Sequence, residues 1–338
     1  MLEILPKMAN DVNELKRKLS PNIYCQHYNC LAGNKLQGDI RSWLSPPDPW
    51  KNYNIARGSR HKETGLWFVN SETFSEWKAS GPSSLLWING KRQLPPGTYI
   101  LTDTDSLPLR SGRWEKRPLV CRCQCVRISS WGLTFSASSA IIEDIERMQK
   151  SGEASLAMYY YDFRDDLKKD LRGLLSSALF QLCDQSDSYY NILSIFHSTH
   201  RDGAQSPRDE ELIRCLVDLV KLPGPRPVYL IVDGLDESPN TSAQSFHRER
   251  VLSFLGDIVK AQLQNLRLCV TSRSEVDIKA ILEPLAFRSV SLEHESGQKK
   301  DMKDCIESIV HTDKKMKFWS PKQKQLVIDA LTEKADGM

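Results

Sequence analysis

The chain has 338 residues, 40% hydrophobic and 26% charged, enough to bury one large α/β core with appendages or two ordinary domains. Its 46 basic and 43 acidic residues leave a net charge of +3, which sets up no global field for nucleic acid or a membrane surface. No stretch reaches the about 18 apolar residues of a membrane span, Met1 to Pro6 is too short for a signal peptide, and the nine cysteines show no paired spacing; together these point to a reducing, cytoplasmic setting.

Residues 9–19 (ANDVNELKRKL) place Val12, Leu15 and Leu19 on one side and predict an amphipathic helix, the N-terminal arm. The three prolines of DIRSWLSPPDPW (39–50) predict a stiff connector, so 1–38 is read as arm and linker and the main domain as 39–297. NSETFSEWK (70–78) predicts a short helix capped by Ser71, and SSLLWING (83–90) a buried parallel strand. The pattern fails from 91 to 133, and returns with a capped helix over 136–150 and a strand over 154–163. DDLKKDLRGLLSSALFQL (165–182) predicts one long helix whose core-facing stripe includes Leu167, Leu171, Leu174 and Leu175. A helix over 210–222 follows, then strands over 228–233 and 266–273. Beyond them the pattern predicts a helix over 275–285, a strand over 287–292, and two charged helices near 298–311 and 320–335, the C-terminal helices read as an unfinished subdomain over 298–338. Strands alternating with helices of 10 to 18 residues predict an α/β, doubly wound, mostly parallel sheet.

The densest chemistry is PVYLIVDGLDE (227–237). Its apolar run forces the strand into the sheet, so Asp233 emerges at the carboxyl end, the edge where open α/β sheets bind ligands. A carboxylate there suits Mg²⁺, which takes one or two protein oxygens and keeps most of its water. Asp236 and Glu237 add acids able to orient or deprotonate a water. LRLCVTSR (266–273) ends at the same edge, where Thr271, Ser272 and the forked donor Arg273 are placed to sense a phosphate.

These stretches, together with WLSPPDPWKNYNIARGSRHKETGLWFVNSETFSEWK, SSLLWINGK, YYYDFRDDLKKDLRGLLSSALFQLC and KFWSPKQKQLVIDALTEKADGM, resemble a fungal NACHT module of the nephrocystin-type N-terminal family, within the STAND class of signalling P-loop NTPases. The resemblance implies ATP or GTP bound with Mg²⁺, a metal role for Asp233, a water-activating role for Asp236 and Glu237, and a sensor role for Arg273. It also implies self-association controlled by nucleotide state, and partners recognised through repeats that this chain does not carry, with no membrane and no nucleic acid among them. ADGM (335–338) stops where that family continues into further helices.

The departure is at the phosphate loop. A GxxxxGK[ST] loop runs directly from strand to helix. Here Gly90 fits the first glycine, but 42 residues separate Lys91 from Thr134, where about six belong in that loop. Lys91 follows Gly90 with no glycine cradle before it, and Ser130, Trp131, Gly132 and Leu133 bring no lysine to the helix. Cys121, Cys123 and Cys125 lack the second ligand pair of a structural zinc site, and Asp103, Asp105 and Glu115 dilute the basic residues around them. Position and composition favour translated non-coding sequence over a working insert, with poor order expected over 92–133. The expectation is therefore a nucleotide-binding signalling and oligomerisation module whose hydrolysis is lost. Two alternatives stay open: an NTPase in which another group replaces the lysine, and a non-enzymatic interaction scaffold.

Overall fold

A computed structural model describes residues 29–60, 64–90, 131–222, 226–240, 246–292, 295–312 and 316–336. The helix expected over 9–19, Lys91, and the interrupting stretch up to residue 130 lie outside these. The chain divides into two compact units, Met1–Trp43 and Leu44–Met338. Helix α1 (Asn29–Leu44) occupies the described part of the first and ends on the first residue of the second.

In the second unit, α2 (Trp50–Ser59), the single turn α3 (Leu66–Val69) and α4 (Glu72–Ala79) precede the sheet. Ser71 caps α4 as its sequence predicts, its hydroxyl accepting from the Phe74 N–H at 3.2 Å. Five strands follow, β1 (Ser84–Gly90), β2 (Ser155–Tyr160), β3 (Val228–Asp233), β4 (Leu266–Arg273) and β5 (Arg288–Ser291). All pairings are parallel, in the order β2-β3-β4-β1-β5.

That order explains why helices cover both faces. From β1 the chain steps to the far edge through α5 (Trp131–Lys150), then works back through β3 and β4, and right-handed crossovers in opposite directions fall on opposite faces. On the α5 face, Ile141, Ile142 and Ile145 pack with Ile88, Met158, Tyr160, Ile231 and Cys269 of the strands and with Phe74 and Trp77 of α4. The return steps use α6 (Leu171–Cys183), α7 (Asp187–Thr199), α8 (Asp209–Val220) and α9 (His247–Lys260), with α6 packed on β2 and on α8. Helix α10 (Val276–Leu282) links β4 to β5, and α11 (Ser296–Thr312) and α12 (Pro321–Asp336) enclose a small core of Ile306, Val310, Met316 and Ile328.

Three expectations are corrected. The long helix over 165–182 is two pieces, a 3₁₀ turn at Asp166–Lys168 and then α6. Asp165 and Asp170 each accept from a backbone N–H two or three residues on, at Leu167 (3.1 Å) and Gly173 (2.9 Å), and each therefore starts an element of its own. The break turns Leu167 out of the core, 61% exposed. Helix α5 starts at Trp131, five residues before the expected 136, so the last residues of the interrupting stretch are already helical. Helices α1, α2, α3, α7 and α9 were not expected, and α1 carries helix to Leu44, so the extended connector expected over 39–50 is confined to the residues around its prolines.

Candidate functional site at the carboxyl edge

Adjacent strands β1 and β4 send the chain to opposite faces, and the crevice for a ligand in such sheets opens beyond their carboxyl ends. Gly90 and Arg273 are register partners at that point, and the Ser274 N–H donates to the Gly90 carbonyl at 3.1 Å. A Cβ added to Gly90 would meet nothing within 4 Å, so the described atoms leave this end of β1 open.

One strand further, Asp233 closes β3, 3% exposed. The Thr271 hydroxyl donates to its Oδ1 at 2.6 Å and accepts from the Gly234 N–H at 3.1 Å. Ser138 of α5 is hydrogen-bonded to Asp233 as well, beside Tyr160, the register partner of Asp233 on β2. Burial pushes the Asp233 carboxyl up to about 6, against the pull of these two hydroxyls.

The chain then turns through Gly234, at φ +70°, into a 3₁₀ turn at Leu235–Glu237. A side chain at 234 would be strained, and its Cβ would lie 3.3 Å from Glu237 Oε1. The turn sends the two acids apart. Asp236 accepts from the Arg273 N–H at 3.0 Å and pairs with its Nε at 3.2 Å. Burial raises the Asp236 carboxyl, with Arg273 opposing. Glu237 has no such partner. Burial first, then repulsion from Asp236, Asp233 and Asp162, raises it to about 9, against a hydrogen bond from the backbone of Phe163 and the attraction of Arg164. Its Oε2 is buried without a hydrogen-bond partner among the described residues. At neutral pH Glu237 is therefore a protonated acid aimed into a crowd of carboxyls.

The five residues singled out from the sequence, Gly90, Asp233, Asp236, Glu237 and Arg273, thus lie on one edge. Thr271 and Ser272 are differently employed from the phosphate sensing expected of them. Both are buried, Thr271 spent on Asp233, and Ser272 accepting from the Trp87 indole at 2.9 Å. Ser138 was missed, because nothing in a helical SASSA run announces which hydroxyl will meet a strand on the far side of the chain.

A neighbouring corner follows β2. Asp162 is held by Arg164 at 2.9 and 3.0 Å and by Asn52 at 3.4 Å, while the buried Lys168 donates to the Asp48 carbonyl and to Asn52, both at 2.6 Å. Burial works against the Asp162 charge, but the Arg164 and Asn52 hydrogen bonds outweigh it and hold the carboxyl below its ordinary range. Among the described residues no group of three or more His, Cys, Asp or Glu is arranged to enclose a metal, and no helix is long and apolar enough to cross a membrane.

Fold and edge define a parallel α/β domain with an acidic, partly unsatisfied corner at its ligand-binding side. Residues 130–273 match the family described as Nephrocystin 3, N-terminal, a span that runs from the start of α5 to Arg273 and leaves β1 outside. Among solved structures, the ORC2 protein of Aeropyrum pernix, determined as ADPNP–ADP complexes, is similar at 11% identity and a TM-score of 0.41. The likeness covers 80% of this chain and 57% of that one, so the chain spans little over half of its length. No curated protein matches.

Proposed function

We propose that this chain is the nucleotide-binding and self-association module of a NACHT-type signalling NTPase, taking ATP or GTP with Mg²⁺ at the carboxyl edge, with hydrolysis lost through the interrupted phosphate loop. The observation that carries the reading is the meeting of Asp233, Thr271 and Ser138 near Glu237, whose Oε2 has no partner among the described residues, one strand from the switch between β1 and β4. Asp233 and the Ser138 hydroxyl are hard oxygen donors, the kind that Mg²⁺ prefers, and a cation beside them would lower the cost of their burial. When bound, the ion would supply positive charge to phosphate oxygens.

The chain's own groups then divide the work. Thr271 fixes the Asp233 carboxylate by its Oδ1, and Ser138 holds the same carboxylate from the α5 side. Glu237 offers Oε2 to take a proton from water, and it can do so only after losing its own proton, which a nearby cation would promote. Arg273 must leave Asp236 before it can reach a phosphate. That ion pair favours a second reading, in which the edge is a locked scaffold without chemistry.

A phosphate loop presents several N–H groups and a lysine, and losing two or three charge-assisted hydrogen bonds costs on the order of 5 kcal/mol, or about 10³–10⁴ in affinity. Closing the longer loop costs only about 1.7 kcal/mol, so the fold tolerates an interruption that the site does not. The test is repair. Replacing residues 92–133 by Pro-Gly-Ala-Gly-Lys-Ser puts a lysine and a hydroxyl in place of the first residues of α5, whose amides would then face phosphate. Titration calorimetry should show ATP or GTP binding that requires Mg²⁺ in the repaired chain and is lost on Asp233→Ala. A folded, repaired chain that binds neither nucleotide leaves the scaffold reading standing.

A further inference from the structure

The candidate site needs two segments to keep their distance: the turn after β3, which carries Asp236 and Glu237, and the end of β4, which carries Arg273. The ladder between these strands runs from Val228–Leu266 to Val232–Val270. Beyond it the chain leaves the sheet at Gly234, and side chains must do what strand pairing no longer does.

Arg248, in the first turn of α9 and 5% exposed, spans that gap. Its backbone N–H donates to the Pro239 carbonyl at 3.4 Å. Along one edge of its guanidinium, Nε donates to the Ser238 carbonyl at 2.9 Å and Nη2 to the Asp236 carbonyl at 2.5 Å. On the other side, Nη1 donates to Glu275 Oε2 at 2.5 Å and to Asp277 Oδ2 at 3.3 Å. Asn240 Nδ2 adds a second tie between the same segments, donating to Asp277 Oδ2 at 2.9 Å. A guanidinium carries donors in fixed directions on both edges, whereas an ammonium is a point charge on a flexible stem. Asp236 is thus gripped twice, by Arg248 at its carbonyl and by Arg273 at its carboxylate.

We infer that Arg248 is a positioning residue for the carboxyl edge, joining the turn that carries Asp236 and Glu237 to the segment after Arg273 and so keeping Arg273 in register with the acids. The value of that register to a nucleotide rests on the reading proposed above; the join itself does not. Without Arg248, Glu275 and Asp277 lose their shared cation, and Glu275 becomes a rival to Asp236 for Arg273, two residues before it.

The tests use the full chain. In the wild type, nitrogen-resolved NMR should show distinct, slowly exchanging Nη–H signals for Arg248. One averaged signal would mean a freely turning guanidinium and would overturn the inference even if no variant folds. Arg248→Lys keeps the charge and loses the fork. It should speed amide exchange about tenfold at Arg273, whose N–H donates to Asp236, and leave Leu268 and Val270 in the middle of β4 unchanged. Equal acceleration along the whole strand would make Arg248 merely structural, and full protection with lysine in place would show that charge alone suffices; either result sinks the inference. In the chain repaired at 92–133, Arg248→Lys should lower the preference for ATP over ADP about fivefold at unchanged ADP affinity, and an unaltered preference would count against the positioning role. A repaired chain that binds neither nucleotide would overturn the nucleotide reading, and the exchange rate at Arg273 would still decide whether Arg248 holds the edge together.

Discussion

Two corners of the same sheet edge carry similar acids and treat them oppositely. After β2, Asp162 meets Arg164 and Asn52, and Lys168 finds a carbonyl and an amide oxygen, so every buried charge has a partner. After β3, Asp233 rests on hydroxyls, Asp236 takes the arginine, and Glu237 is left with an oxygen that no group among the described residues satisfies. Native proteins satisfy nearly all buried polar groups, so an oxygen left over among the described residues, beside three other carboxyls, is what sets this corner apart. The first corner is structure. The second stores a cost that a cation would remove.

Four measurements test that contrast, beginning with the largest effect. Gly173 sits where α6 meets β2, and a Cβ there would lie 2.3 Å from the Leu167 carbonyl and 2.6 Å from the Tyr159 hydroxyl. Gly173→Ala should cost about 3 kcal/mol or more in urea unfolding, because both neighbours are held by the fold. A loss under 1 kcal/mol would show the first corner to be soft.

Lys168→Met should come next, at about 2 kcal/mol, since it strands the Asp48 carbonyl and Asn52 Oδ1 away from their donor. Asn52 then no longer anchors Asp162 firmly, so its loss should also let the Asp162 carboxyl rise toward its ordinary range, which carbon-detected NMR titration would report.

Glu237→Gln sharpens the second corner through pH. The folded acid is raised to about 9 from an ordinary 4.5, so the folded state holds a proton that the unfolded chain releases. Its stabilising contribution is complete below pH 4.5 and is lost progressively as pH rises toward 9. The glutamine variant should remove that slope, so that its advantage over wild type is small at pH 4.5 and grows with each pH unit toward 8. Parallel pH profiles for the two proteins would mean that Glu237 is not held protonated.

Arg164→Ala should do least, about 0.5 kcal/mol or less, because the arginine is 68% exposed and water competes for its ion pair with Asp162. A larger loss would mean that the first corner leans on its surface charge as much as on Lys168.

Strands were the legible part of this fold. Continuous apolar runs bounded by turn residues gave β3 and β4 residue for residue, and with them Asp233, Asp236, Glu237 and Arg273 at one edge. Helix ends were harder. Asp165 and Asp170 are both good capping residues, and periodicity alone does not say that each will start a separate element. Helix α9 hides its apolar residues Val251, Leu255 and Ile258 among charges, and α7 leaves Ile195 38% exposed, so neither presents a plain stripe. The site's supporting hydroxyls were least visible, since Ser138 reaches Asp233 across 95 residues of chain and only the packing of α5 under the sheet brings it there. Asp236 and Glu237 look alike in sequence, and the left-handed Gly234 is what turns one to Arg273 and the other toward Phe163.

The order of the strands also sets a timetable. Strand β1 carries Leu85, Leu86, Trp87 and Ile88, all buried, yet its two neighbours are β4 and β5, and β4 begins 176 residues after Gly90. At about 5–20 residues per second a ribosome needs roughly 10–35 s to supply that first neighbour. Throughout that interval one of the most apolar segments of the chain has no strand to pair with, and it is a natural substrate for a chaperone. A message that ended before β4 would release a protein whose first strand had waited for a partner that never came.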